Sequence, residues 1–250
     1  MRESFDRLDV PAAEDAKHLR DFDEPTGNSS PQRPKSNSGQ LPQTTIEPDL
    51  KTANYCRDRV LSWLAVNVPD SRLQHILRVE QLSVELARHH HLDPEKAGQA
   101  GLMHDLAKFF KPERLLQMAQ THGLEIDPVD QANPHLLHAA VGAIVARDEF
   151  GLQDQEVLDA IRDHTLGHPG MSPLSCVVFL ADSLEPGRGD TPELEHLRQL
   201  SRQELYRAVW LTADYSLQYL LSTHRLIHPR TVLTRNWAMR AARRDQIHGG

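Results

Sequence analysis

The chain of 250 residues has only two cysteines, Cys56 and Cys176. They lie far apart and in no metal-ligand spacing. A disulfide framework and a thiolate metal cluster are therefore both excluded, and a reducing compartment is expected. The opening Met-Arg-Glu-Ser-Phe-Asp contains no apolar signal core, and no apolar run approaches the ~20 residues that a membrane-spanning helix needs. A soluble, cytoplasmic protein without membrane contact is the expectation. No stretch alternates apolar and polar residues as a half-buried strand would, and no internal repeat recurs. A basic surplus is missing too. The 28 Lys and Arg are outnumbered by 35 Asp and Glu, for a formal charge of −7. Residues 1–50 carry −4 of this, from 10 acidic and 6 basic side chains, which leaves −3 for the rest. A nearly balanced folded part predicts no nucleic-acid partner. The one local basic cluster is C-terminal: Arg230, Arg235, Arg240, Arg243 and Arg244.

Apolar residues make up 39% of the chain, below the roughly 45–50% usual for globular proteins. The shortfall is concentrated in residues 1–50, rich in Pro, Ser, Gln and Asn. That composition cannot bury enough surface to offset the entropy of ordering. The expected organisation is a disordered extension over 1–50, a folded domain over 51–240 and a basic flexible tail over 241–250.

What the sequence does have is histidine, 15 in all, and one stretch around which the rest is arranged: Gly101-Leu102-Met103-His104-Asp105-Leu106-Ala107-Lys108. A histidine and an aspartate stand side by side in an apolar helical pattern. Burying a carboxylate without a partner costs several kcal/mol, so such a pair implies a metal ion or a tight hydrogen-bond network. The helix that holds it is expected to run from Asp93-Pro94 to about Phe110, with Leu102, Leu106 and Phe109 on one face. Lys108, four residues after His104 and three after Asp105, would then project to the same side as both.

The apolar stripes of other segments supply further ligand types. His75, Val79, Leu82 and Leu86 form one stripe of a helix opened near Ser71. His138, Val141, Gly142 and Val145 form another, from near His135 to Phe150. Val157, Ile161 and His164 share a third, over about 153–165. Asp182 lies one turn beyond Val178 and Phe179 in a helix opened by Ser172-Pro173. Two long C-terminal segments, 203–223 and that from Pro229, also read as helices, so the fold class is all-α. The ligand spacing is His, 28 residues, His-Asp, 32 residues, His, 25 residues, His, 17 residues, Asp. One inward histidine is commonly a satisfied core group; five coincident inward sites are not explained by packing.

On these residues the chain resembles the HD-domain metal-dependent phosphohydrolases, whose ligand set has the order His75…His104-Asp105…Asp182. Further stretches are similar to the YqeK-type symmetrical diadenosine tetraphosphatases: Leu137-His138-Ala139-Ala140-Val141-Gly142-Ala143, His164-Thr165-Leu166-Gly167-His168-Pro169-Gly170-Met171, Phe179-Leu180-Ala181-Asp182-Ser183-Leu184-Glu185-Pro186-Gly187-Arg188, and Ile227-His228-Pro229-Arg230-Thr231 followed by Arg235-Asn236. The likeness covers about residues 55–240. It implies a helical bundle with a dinuclear site between helices. One ion would take His75, His104, Asp105 and Asp182. The other would take His138 and His164, with Asp105 bridging. The substrate would be a dinucleoside polyphosphate and the product two ADP; a homodimer is compatible with the sequence, which does not fix the oligomeric state. His168 departs from the family pattern, which suggests arginine there.

Imidazole and carboxylate ligands without thiolate suit iron, manganese, cobalt or zinc, and the resemblance favours iron. Two cations roughly 3.5–4 Å apart can provide a nucleophile at neutral pH and neutralise phosphate oxygens. Lys108 is the expected phosphate cation, with Asp105 beside it at the chemistry. Thr165, His168, Arg188, Arg235 and Asn236 are the other candidate substrate contacts. The same constellation leaves open a hydrolase for a nucleoside monophosphate or cyclic dinucleotide, a di-iron oxygenase, and a non-catalytic nucleotide sensor.

Overall fold

The computed structural model describes the backbone of residues 52–248, so the expected disordered extension over 1–50 lies outside the described residues, as does the side chain of Cys56. The described residues form helices and no strand. In chain order these are α1 (Thr52–Asn67), α2 (Asp70–His89), α3 (Pro94–Met103), α4 (Pro112–Thr121), α5 (Pro128–Ala132), α6 (His138–Phe150), α7 (Gln155–Asp163), α8 (Pro173–Leu184), α9 (Pro192–Ser201), α10 (Leu205–Ser222) and α11 (Pro229–His248). Single 3₁₀ turns, Pro134–Leu137 and Pro186–Arg188, precede α6 and follow α8.

The helix starts are written locally. Pro stands at the first turn of α3, α4, α5, α8 and α9, where its missing N–H has no partner to lose. The Asp93 carboxylate accepts from the amides of Glu95 and Lys96, Asp154 from those of Glu156 and Val157, and Ser172 Oγ from that of Ser175. Each satisfies donors that a helix N-terminus leaves unpaired.

The core sits around α8. From Leu174 to Asp182 every residue of that helix is buried, as expected of a helix apolar all round. It packs against α2, α3, α7, α9 and α10. The stripe of α2 is buried as the periodicity predicts, His75, Val79, Leu82 and Leu86 included. α2 and α3 cross closely at Gly101, where a Cβ would lie 2.9 Å from Glu80 Cα and 2.9 Å from Ser83 Oγ. The close crossing brings the C-terminal end of α3 onto the face of α2 that carries His75. α10 and α11 form an antiparallel pair that closes the bundle beside α8.

Two expectations about element ends are corrected. α3 stops at Met103 instead of running to Phe110, and residues 104–109 form consecutive tight turns. The Gly101 carbonyl, which a continuing helix would offer to the amide of Asp105, accepts from His104 Nδ1 at 2.7 Å. Phe109 accordingly turns outward, 46% exposed, away from the core that holds Leu102 and Leu106. At the other end, α11 continues through the segment expected as a flexible tail. Ala241 and Ala242 are buried, and the helix persists to His248.

Candidate metal centre

Six side chains converge between α2, α3, α6, α7 and α8: His75, His104, Asp105, His138, His164 and Asp182. All six are buried. His104, Asp105, His138 and His164 stand at helix ends, where the backbone ladder is open. Three of the histidines share one local device. The Nδ1–H donates to the carbonyl three residues back: His104 to Gly101 at 2.7 Å, His138 to His135 at 2.5 Å and His164 to Ile161 at 2.7 Å. The fourth, His75, donates Nδ1–H to Glu185 Oε1 at 3.0 Å. With Nδ1 protonated, every Nε2 is left as a lone pair aimed at the centre. Such a pattern is how proteins orient histidines toward metal ions.

The Nε2 atoms meet the carboxylates in two groups. On one side His75 Nε2 lies 3.1 Å from Asp182 Oδ1, and His104 Nε2 lies 3.4 Å from Asp105 Oδ2. On the other, His138 Nε2 lies 3.3 Å from Asp105 Oδ1 and 3.1 Å from His164 Nε2. Two ligands on one ion with bonds near 2.1 Å stand about 3.0–3.4 Å apart, and these four spacings fall in that range. The sets His75, His104, Asp182 and His104, Asp105, His164 each bring their donor atoms within 4.8 Å of one another. Asp105 presents Oδ2 to the first side and Oδ1 to the second. The buried Nε2 atoms of His75 and His104 have no hydrogen-bond partner among the described residues, a costly condition that a cation would relieve. The donor set therefore fits divalent metal.

Burial would raise the Asp105 carboxyl, but the charge and hydrogen bond of His104 hold it well below the usual range. Burial would lower His104, yet Asp105 raises it, so a metal would displace the proton that this pairing favours on His104 Nε2. Asp182 is held down in the same way, chiefly by Arg188. Burial depresses His164 to about 3 and also lowers His138, so both rings are neutral at physiological pH.

The cations around the centre sort differently from the sequence expectation. Lys108 is half-buried, attracted by Asp105 and Asp182, and burial lowers its pKa. Its ammonium is thus within electrostatic reach of the two carboxylates, and a turn, not a helix, delivers it. Arg188 is buried and donates to Asp182, through Nη2 to Oδ1 at 2.6 Å and through Nε to the backbone carbonyl at 2.8 Å. It holds a candidate ligand. Thr165 Oγ1 lies 3.2 Å from His138 Nε2, beside the second group. His168 is exposed on the loop after α7, near Asp163. Arg235 is half-buried and paired with Asp214 of α10, Nε to Oδ1 at 2.6 Å, and also donates to Asn236 at 3.1 Å. The neighbouring Thr234 ties this part of the chain to the loop after α7 through the Leu166 carbonyl, at 3.1 Å.

Two residues at the centre were not singled out by sequence. Arg72, buried on α2 one turn before His75, donates to Asp105 Oδ2 at 3.1 Å. Glu185 is buried at the end of α8. Besides His75 it binds Arg78, and it accepts the Gly187 amide at 2.6 Å. It is drawn to about 2 against its burial, first by the hydrogen bond from His75. Spacing was the available signal: Arg72 lies on the His75 stripe, and Glu185 three residues after Asp182.

A helical bundle with a His, His-Asp, Asp set converging between helices defines a class, and comparison with known families agrees. The chain belongs to the HD domain family, which matches residues 72–187. More narrowly, it is 34% identical over 181 residues to the symmetrical bis(5'-nucleosyl)-tetraphosphatase of Bacillus subtilis, covering 72% of this chain and 96% of that protein. The enzyme of the same name from Staphylococcus aureus is 28% identical over 167 residues, covering 66% and 85%. Among solved structures, a Clostridium acetobutylicum protein described as a predicted HD superfamily hydrolase involved in NAD metabolism superposes with a TM-score of 0.70 at 32% identity, covering 74% of this chain and 97% of that one.

Proposed function

We propose that this protein is a metal-dependent hydrolase that cleaves diadenosine tetraphosphate symmetrically into two ADP. The observation that carries the reading is Asp105, whose two carboxylate oxygens face two separate sets of histidine Nε2 lone pairs. In this reading His75, His104, Asp105 and Asp182 hold one divalent ion, and Asp105, His138 and His164 hold a second. Bound there, the ions would supply Lewis acidity and lower the pKa of water to near neutrality. Iron is the proposed resident metal, with manganese, cobalt and zinc compatible with the same ligands.

The chain's own residues then bind and orient. Asp105 and Asp182 are each already matched by a guanidinium, from Arg72 and Arg188. Added divalent cations leave the centre strongly positive, which favours a polyphosphate over a singly charged ester. Lys108 places a further ammonium against that phosphate. Thr165 offers a hydroxyl beside His138, where it can hold a phosphate oxygen in line. The protein is proposed to act in the cytoplasm as a homodimer. Among the described residues no helix is long and apolar enough to cross a membrane.

The test is to incubate iron-loaded protein with diadenosine tetraphosphate and resolve the products by chromatography. ADP alone is expected. AMP together with ATP would mean asymmetric cleavage, and absence of turnover with every metal tried would remove the hydrolase reading.

A further inference from the structure

α11 leans on α10 and, through the Thr234 hydroxyl, on the loop after α7. Its opposite side is exposed. Val232, Leu233, Arg240, Arg243 and Arg244 fall within an arc of about 120° at 3.6 residues per turn, facing away from the buried Thr234, Ala238 and Ala241. The helix has one acid, Asp245, and it lies off that arc. Arg240 and Arg243 form no ion pair among the described residues. Beside this row, the turn from α10 into α11 is apolar on its outer surface. Leu221 is 62% exposed, Leu226 63% and Leu233 55%; with Val232 these are four of the six large apolar side chains exposed among the described residues. Solvation alone accounts for arginines on a helix, but leucines gathered next to them mark a contact surface.

The chain carries a matching occupant in its own sequence. All of the −4 charge of residues 1–50 falls in residues 1–24, which hold eight acids and four bases; residues 25–50 hold two of each. The acids alternate with apolar residues, as in Phe5-Asp6, Leu8-Asp9 and Asp21-Phe22-Asp23-Glu24. Two of the chain's six phenylalanines are here, in a stretch too polar to build a core of its own. Alternating acids and apolar groups complement a surface that is basic along the helix and apolar at the turn. The reach suffices. Residues 25–51 number 27, and even a randomly coiled chain of that length spans about 30 Å, against a radius of gyration of about 16 Å for a folded domain of this size. Such a tether gives an effective concentration of about 1 mM, so a contact with a Kd of about 100 μM would be about nine-tenths occupied. A second copy fits less well, because a two-fold contact brings both arginine rows into one interface with no acid to match them.

We infer that residues 1–24 dock on the exposed face of α11, with their acids on Arg240 and Arg243 and their phenylalanines on the leucines of the α10–α11 turn. The docked segment screens that face from other anionic partners.

The test irradiates the full chain carrying p-benzoylphenylalanine in place of Phe22 and maps the products by mass spectrometry. Cross-links within one chain to residues 221–244 are expected. Arg240→Glu combined with Arg243→Glu, at exposed positions where folding is not at stake, should lower their yield about fivefold or more. Raising the salt from about 0.05 M to about 0.5 M should do the same with no further substitution. A yield that neither change moves would overturn the assignment, as would cross-links to other faces of the domain or none at all. In a mixture of light- and heavy-nitrogen chains, cross-links joining light to heavy would give the face to a second copy instead. Capture of the wild-type full chain by vesicles containing phosphatidylserine, with loss of the cross-link, would give it to a membrane surface and overturn the assignment as well.

Discussion

At the scale of single residues, the centre depends on what stands behind each histidine as much as on the histidine itself. Glu185 accepts the proton of His75 Nδ1 and so fixes which nitrogen faces the metal. Glu185→Gln keeps the size but lets the side-chain amide present its NH₂ to His75. Divalent-metal affinity should fall about 10–100-fold, measured by metal titration against a chelating dye. Unchanged affinity would mean that Glu185 serves only Arg78 and the Gly187 turn. Asp105→Ala removes the carboxylate shared by both ligand groups. Turnover should be lost and metal content per chain should fall, both readable on one preparation. The six converging side chains were legible in the sequence because each lies on or next to an apolar stripe, where a polar group has no packing reason to be. Arg72 and Glu185 were not. A charged residue near a helix end reads as solvated, and what makes these two part of the centre is a partner on a different segment. Arg235 and Asn236, which a motif placed at the substrate, are joined to each other and, through Arg235, to Asp214, and their part in substrate binding stays a proposal.

Among elements, two contacts set how the ligand-bearing segments approach. The first is the α2–α3 crossing at Gly101. Gly101→Ala drives a Cβ against the backbone of Glu80, so the helices must part. The expected cost is about 1–3 kcal/mol, seen as a lower midpoint in chemical denaturation. The second ties α11 to the loop after α7. The Thr234 hydroxyl donates to the Leu166 carbonyl at 3.1 Å, beneath Gly167, whose φ of +65° and close packing on Thr234 admit no side chain. Thr234→Val should cost about 1 kcal/mol of stability and loosen His164 and Thr165. Lower metal affinity at the second ligand group would accompany it, and stability loss with full affinity would count against this coupling. Helix existence was legible from periodicity and caps. The end of α3 was not, because it is set by an imidazole competing for the Gly101 carbonyl, which no propensity encodes.

For the whole molecule, the metal is part of the fold's stability. An ion bound only by the native state adds about 4 kcal/mol when present at 1,000 times its dissociation constant. Exhaustive chelation should therefore lower the thermal midpoint, and adding back manganese or iron should restore it; an unchanged midpoint would mean that the folded chain does not bind the metal in preference to the unfolded one. Deleting residues 1–50 should leave kcat/KM for the dinucleotide within about twofold, since the match to the Bacillus subtilis enzyme spans 181 residues and the ligands all lie beyond residue 70. The pairing of His75 with Glu185 has one more consequence. These residues are 110 positions apart, and Asp182 travels with the later one. During synthesis, the earlier half of the chain emerges with its histidines but without the carboxylate that completes the first ligand group. On the proposed ligand set, stable capture of an ion would wait until α8 has left the ribosome and docked on α2, and a product truncated before α8 would lack the means to hold it.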